Sequence, residues 1–166
     1  MTSSADDPFH EGLRQLGNDL PFNQHLGAEV VSIDPGRVVT RLGADDRITN
    51  HLGGVHAIAE LAPVELAGAL AASSRLRAVL ERGFVPVVGS LTVKYVAPAH
   101  GELTAVGIVG EDAIGPALAA ADAGERPRVV ANVEVTDAQA TTVAVAELTF
   151  VYLDMSGAGD EHASVT

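Results

Sequence analysis

A chain of 166 residues, 47% hydrophobic and 19% charged, has the size and balance of one compact domain that buries a core without disulfides or metal staples. Its formal charge of −12 speaks against a nucleic-acid partner, because duplex binding needs clustered Lys and Arg to displace counterions. The absence of cysteine removes thiolate nucleophiles and Cys-based zinc sites, and with 4% aromatics and no tryptophan the core has to be made of small aliphatic side chains.

The polar, acidic start Met1–Asp7 lacks the character of a signal peptide. Pro8 to Leu20 carries Phe9, Leu13, Leu16 and Leu20 at helical spacing, which predicts a short helix ended by Pro21. Gly27 to Ile33 and Arg37 to Leu42 flank Asp34-Pro35-Gly36, a turn signal, and read as a hairpin. From Val55 to about Leu80 almost no polar side remains, so a long helix enclosed on several sides is expected, bent by Pro63. Glu60 and Glu65 interrupt this stretch, which is the best candidate for a membrane span; no membrane partner and a cytoplasmic location are therefore expected.

Ser90 to Tyr95 alternates polar and apolar residues with the period of a half-buried strand. Glu102 to Val109, Arg128 to Thr136 and Thr141 to Leu153 read in the same way, with Ile114 to Gly124 as a loop or short helix. Strands segregated from one swallowed helix indicate an α+β domain with an antiparallel sheet. The expected division is a tail and short helix over 1–20, the domain over 21–153 and a flexible tail over 154–166, with residues 1–7 frayed as well.

Chemistry is narrowed by absence. There is no G-x-S-x-G elbow and no Gly-rich phosphate loop before a helix. His51 and His56 are five apart, a poor spacing for two ligands on one helix face, and no carboxylate completes a set, so no metal is expected. What remains is Asn50-His-Leu-Gly-Gly-Val-His56-Ala57, a polar loop running into the start of the buried helix, followed by Glu65 in apolar surroundings. A helix start offers free N–H groups and partial positive charge to a carbonyl oxygen turning negative. Taken singly, Asn50 reads as a turn or cap residue, His56 as a structural histidine, and Glu65 as a crevice residue or a partner of Arg75 or Arg77. Glu60 is a competing carboxylate, about 140° from Glu65 around a helix.

The constellation resembles the motif of hotdog-fold thioesterases of the phenylacetic-acid-pathway and 4-hydroxybenzoyl-CoA type: Asn or Gln, His-Gly six residues on, and Asp or Glu nine after the His. Asn50, His56 and Glu65 match at both spacings, and the wording Asn-His-Leu-Gly-Gly-Val-His-Ala-Ile-Ala with Glu-Leu-Ala-Gly resembles most an uncharacterised branch that includes the C-terminal domain of acetyltransferase-like fusion proteins. Val88 to Gly101 resembles the family's strand-Pro-x-x-Gly segment, and the likeness covers roughly residues 20–153. In two places the chain departs from the pattern: Ala57 replaces the glycine after the histidine, and Ala69 replaces a frequent Ser or Thr.

The resemblance implies a hotdog fold, a sheet wrapped around one long helix, and hydrolysis of a medium-chain or aryl acyl-CoA, with coenzyme A entering only as part of the substrate. In that scheme the Ala57 N–H holds the acyl oxygen, His56 orients it, Asn50 positions water and Glu65 is base or attacking carboxylate. Gly54, Val55 and Ala69 would contact the substrate, and Lys94, Arg126 and Arg128 are candidates for the CoA phosphates. Nine helical residues span about 13 Å, so His56 and Glu65 of one chain do not reach one thioester carbon, and a homodimer, or a dimer of dimers, is expected. The alternatives are a non-catalytic acyl-CoA or lipid binder and a hotdog enoyl-CoA hydratase or dehydratase.

Overall fold

The computed structural model describes residues 7–157. Helix α1 (Pro8–Asp19) opens with Pro8 at its first turn, and the Asp7 carboxylate accepts the Phe9 N–H at 3.0 Å. That bond, and an ion pair with Arg77, hold the Asp7 carboxyl below its usual pKa. Asp7 is therefore an ordered cap rather than part of a frayed end, and the expected C-terminal tail starts late: Asp154 still belongs to the last strand and the Met155 N–H donates to the Gly83 carbonyl, while residues 1–6 and 158–166 lie outside the described residues. Pro21 ends α1 as expected, but it also starts a second short helix, α2 (Pro21–Leu26), because proline suits a first helical turn whose N–H has no acceptor.

Six strands follow: β1 (Ala28–Asp34), β2 (Arg37–Leu42), β3 (Phe84–Tyr95), β4 (Leu103–Ile108), β5 (Arg128–Thr136) and β6 (Thr142–Asp154). They form one antiparallel sheet in the order β1-β2-β4-β5-β6-β3. The hairpin and β5 lie where their alternation predicts. The expected strand at Ser90–Tyr95 begins six residues earlier, and the stretch after Ile114 is a helix, α5 (Ile114–Asp122). Among the described residues no helix is long and apolar enough to cross a membrane.

The enclosed helix is shorter than its apolar run. Helix α3 spans Leu61–Ser73, and a separate turn, α4, covers Arg77–Leu80. Residues 57–60 form successive turns instead, because the His56 ring captures the Ile58 N–H and the Tyr95 hydroxyl donates to the Ala57 carbonyl. At the other end the Ser74 hydroxyl donates to the Ala71 carbonyl and accepts the Gly36 N–H, tying the chain to the β1–β2 turn. Pro63 does not bend α3. It sits in the first turn, where a missing N–H leaves no bond unmade, and its carbonyl accepts the Thr40 hydroxyl at 2.8 Å.

Ten of the 13 residues of α3 are buried, and the helix lies across β2, β4 and β5. Its approach is set at Gly107 of β4: a Cβ there would stand 2.6 Å from the Ala67 carbonyl carbon and oxygen and 3.0 Å from the Gly68 nitrogen. Helix backbone thus rests on strand backbone. The largest fully buried side chains, Tyr152 and Phe150, come from β6. A Gly107→Ala protein should lose ~2–3 kcal/mol by overpacking, read as a fall in Tm of roughly 5–10 °C in calorimetry; an unchanged Tm would show that α3 can lift from the sheet without cost.

Candidate functional site

The loop from Asn50 to His56 is held by its own atoms. Asn50 Oδ1 accepts the Leu52 and Gly54 N–H groups at 2.8 and 3.2 Å, and Nδ2 donates to the Val55 carbonyl at 3.0 Å. Its backbone exchanges bonds with Gly53 and Gly54. Asn50 therefore organises the loop, the plain reading of an asparagine in a turn. The Val55 N–H is anchored to the Ala99 carbonyl, and Gly54 packs so tightly that a Cβ would lie 2.8 Å from that oxygen. Gly54 is thus a backbone-packing position, while Val55 lines a cleft.

His56 is exposed. Its Nδ1 accepts the Ile58 N–H at 3.1 Å, which places the neutral ring's proton on Nε2 and makes that atom a donor toward solvent. The turns at 57–60 change where free donors lie. The first N–H groups of α3, on Leu61 and Ala62, are taken by the Ile58 and Ala59 carbonyls. The Ala57 N–H donates to no protein acceptor among the described residues. The open donor lies before the helix, not on its first turn.

Two carboxyl groups flank this loop in different cavities. Glu60 lines an open cleft of about 400 Å³ with Asn50, Val55, Ala57 and Tyr95. It is 4% exposed, its Oε2 has no hydrogen-bond partner, and burial raises its pKa to about 7. Burial first, and the nearby Glu60 second, push the Tyr95 hydroxyl upward as well.

Glu65 is the one exposed residue of α3, on a stripe with the half-buried Leu61 and Ala69 four residues to either side. Among the described residues it forms no ion pair: Arg75 lies 3.6 Å from Glu111, and Arg77 joins Asp7. Glu65 and Ala69 open into an apolar groove of about 670 Å³ between α1, α3 and the start of β3, walled by Leu16, Leu20, Leu66 and Val85. Partial burial in this apolar wall raises the Glu65 pKa. Within one chain, Glu65 and the Ala57 loop line separate cavities, as their spacing predicts.

The basic candidates do not gather. Lys94 pairs in register with Val145 and Arg128 with Val151, six residues or about 20 Å apart along β6. Lys94 also points to the opposite sheet face from its neighbour Tyr95, which reaches the loop. Arg126 is exposed just before β5. No single basic patch forms within one chain. Two features were missed by sequence reasoning: the Tyr95 hydroxyl, and the groove wall supplied by α1 and the residue that caps it, with Leu16 60% and Leu20 44% exposed. Apolar residues on both sides of an amphipathic helix were the available signal.

One helix cupped by a single antiparallel sheet, with its free carboxylate facing a groove, is the hotdog architecture. The chain is similar to a thioesterase family protein of Silicibacter pomeroyi (19% identity, TM-score 0.72, 88% of this chain and 98% of the other). It is also similar to a thioesterase of Haemophilus influenzae (20%, 0.68, 93% and 94%) and to the E. coli PaaI protein from the phenylacetic acid degradation operon (18%, 0.66, 87% and 96%). No curated protein matches it by sequence. The chain belongs to the family described as a domain of unknown function, DUF4442, whose model matches residues 13–152.

The buried Glu60 has a measurable consequence. Burial lifts its pKa to about 7 from the 4.5 of an ordinary glutamate, so the unfolded chain gives up its proton first as pH rises. Stability should fall between pH 4.5 and 7, by an amount on the order of 3 kcal/mol. Thermal melts at pH 5 and pH 8 should therefore differ less in Glu60→Gln than in the wild-type protein; an identical difference in both would show that Glu60 is not held neutral by burial.

Proposed function

We propose that this protein hydrolyses acyl-CoA thioesters, with medium-chain or aryl acyl groups, at a site shared by two copies of the chain. The carrying observation is the exposed Glu65 on an otherwise buried helix, set in an apolar groove apart from the free Ala57 N–H. A twofold joins the two halves. Strand β3 is the sheet's edge, 12 residues long, with Val85, Val87 and Val88 exposed and Lys94 as its one charged residue. An apolar, nearly uncharged edge invites strand pairing.

If β3 pairs antiparallel with itself along its full length, Tyr95 falls opposite Phe84 of the partner subunit. The cleft at Ala57, Tyr95 and Val96 then abuts the neighbour's groove at Glu65, Val85 and Pro86. Leu52 and Ile58, 78% and 66% exposed beside the loop, gain apolar surroundings in such a pair.

The reaction follows from the groups so assembled. The acyl chain lies in the groove, and the carbonyl oxygen is held by the Ala57 N–H, with the His56 Nε2–H orienting it. The carboxylate of Glu65 from the neighbouring copy takes a proton from water as its oxygen bonds to the carbonyl carbon. The C–S bond then breaks, its electron pair leaves with the CoA thiolate, and that sulfur takes up the proton. Of the basic candidates, Lys94, Arg126 and Arg128, those brought to the groove mouth by pairing would meet the CoA phosphates.

A Glu65→Gln protein should lose turnover by ~10²–10⁴-fold across an acyl-CoA panel read by mass spectrometry, while light scattering still shows a dimer. Val87→Lys should yield a monomer that turns over no thioester. Full activity in either variant rejects the shared site. An intact thioester that binds but yields no free acid would point instead to a non-catalytic acyl-CoA binder, and a hydrated acyl-CoA to a hydratase.

A further inference from the structure

Glu60 has no role in the scheme above, yet it is the most conspicuous polar group in the fold. It is 4% exposed, and among the described residues no donor reaches its Oε2 and no cation is paired with it. Desolvation alone accounts for its displaced titration. A buried carboxylate accepts several hydrogen bonds when ionised, and leaving them unmade is costly. The protein supplies none, so the uncharged acid is the form this pocket suits. An uncharged carboxyl has one O–H to give, and no hydrogen bond among the described residues takes it up.

The nearest hydroxyl, on Tyr95, is already committed: it donates to the Ala57 carbonyl at 2.7 Å. That bond also pins the residue whose N–H is free. Glu60 and Ala57 line the same cleft, within one chain, and besides Tyr95 and Asn50 its walls are apolar, among them Leu52, Val96, Ala97 and Pro98. A ligand oxygen entering there meets two unused donors and no competing charge.

We propose that Glu60, carrying its proton, donates a hydrogen bond to the same acyl carbonyl oxygen to which the Ala57 N–H donates, and so stabilises the charge that oxygen gains during attack. This rests on the thioesterase reading of the site. The ligand group it calls for is a carbonyl, an acceptor without donors, attached to an apolar chain. Glu60 and Glu65 then divide the work: the loop half contributes a neutral acid that binds oxygen, and the neighbouring helix contributes the carboxylate that moves the proton. A low-dielectric wall strengthens the donor's effect on a developing oxyanion.

Proton dependence gives the test. Tyr95 is the only other titratable group lining the cleft, while His56 and His100 lie on the adjoining loop positions. If the protonated acid is the working form, kcat/KM of the wild-type dimer falls as pH rises through about 7. Glu60→Gln keeps an N–H donor at the same place without the titration, so it should retain activity within ~10-fold and lose the decline. Glu60→Leu keeps similar bulk but no donor; kcat should drop ~10²–10³-fold with KM little changed.

Both variants are to be checked for dimer formation by light scattering and for folding by circular dichroism, and if Glu60→Leu fails to fold, the Glu60→Gln pH profile decides. A decline above pH 7 that persists in Glu60→Gln, or a folded Glu60→Leu dimer with full turnover, overturns the proposal and leaves the thioesterase reading standing. A wild-type dimer that hydrolyses no member of the panel removes that reading, and the role of Glu60 with it.

Discussion

Everything in this fold is arranged around one backbone contact, the seat of α3 on β4 at Gly107. Because the Ala67 carbonyl and Gly68 nitrogen approach to where a side chain would otherwise be, the helix sinks into the sheet and loses all but one stripe of its surface. The strip left uncovered carries Leu61, Glu65 and Ala69, and α1 stops short of closing it. A helix apolar on nearly every side needs such an enclosure to exist in water. The carboxylate on its one open line is thereby delivered to an apolar groove without any polar side chain to hold it.

Close seating also separates the work of the polar residues. Asn50 spends all of its bonding on the loop, Thr40 closes a carbonyl at the start of α3, and Ser74 closes another near its end. Each satisfies a backbone group that burial would otherwise orphan. Among the described residues a few polar atoms stay unsatisfied: the buried His10 Nδ1, Glu60 Oε2 and Arg75 Nε, and the Ala57 N–H; of their residues, Ala57 and Glu60 line one cleft.

The acidity of the chain bears on association. At a net charge of −12, two copies repel at long range, yet the β3 edge and the groove are almost free of charge. Repulsion of this kind is screened within about 10 Å in ordinary salt, whereas an unpaired strand edge and apolar residues such as Val85, Val87 and Leu52 act at contact. Charge is thus thinnest on the two faces proposed to join.

The sequence alone carried the class of fold, because periodicity and turn chemistry are local: alternation located β4 and β5, Asp34-Pro35-Gly36 located the β1–β2 hairpin, and continuous apolarity located the enclosed helix. It carried the spacing of Asn50, His56 and Glu65 too, since counting residues needs no coordinates. It did not carry the length of α3, for the start of that helix is decided by Tyr95 and His56 taking backbone groups from residues 57 and 58. Nor did it carry the innocence of Pro63, which depends on how many turns precede it, or the exposure of β3, which depends on its place at the edge of the sheet. Glu60 and Glu65 look alike in the sequence, two acids in one apolar run; only packing against β3 and α1 turned one into a buried carboxyl whose ionisation is disfavoured and the other into an exposed one. Burial and hydrogen bonding are made by residues distant along the chain, and that is why tertiary structure decides them.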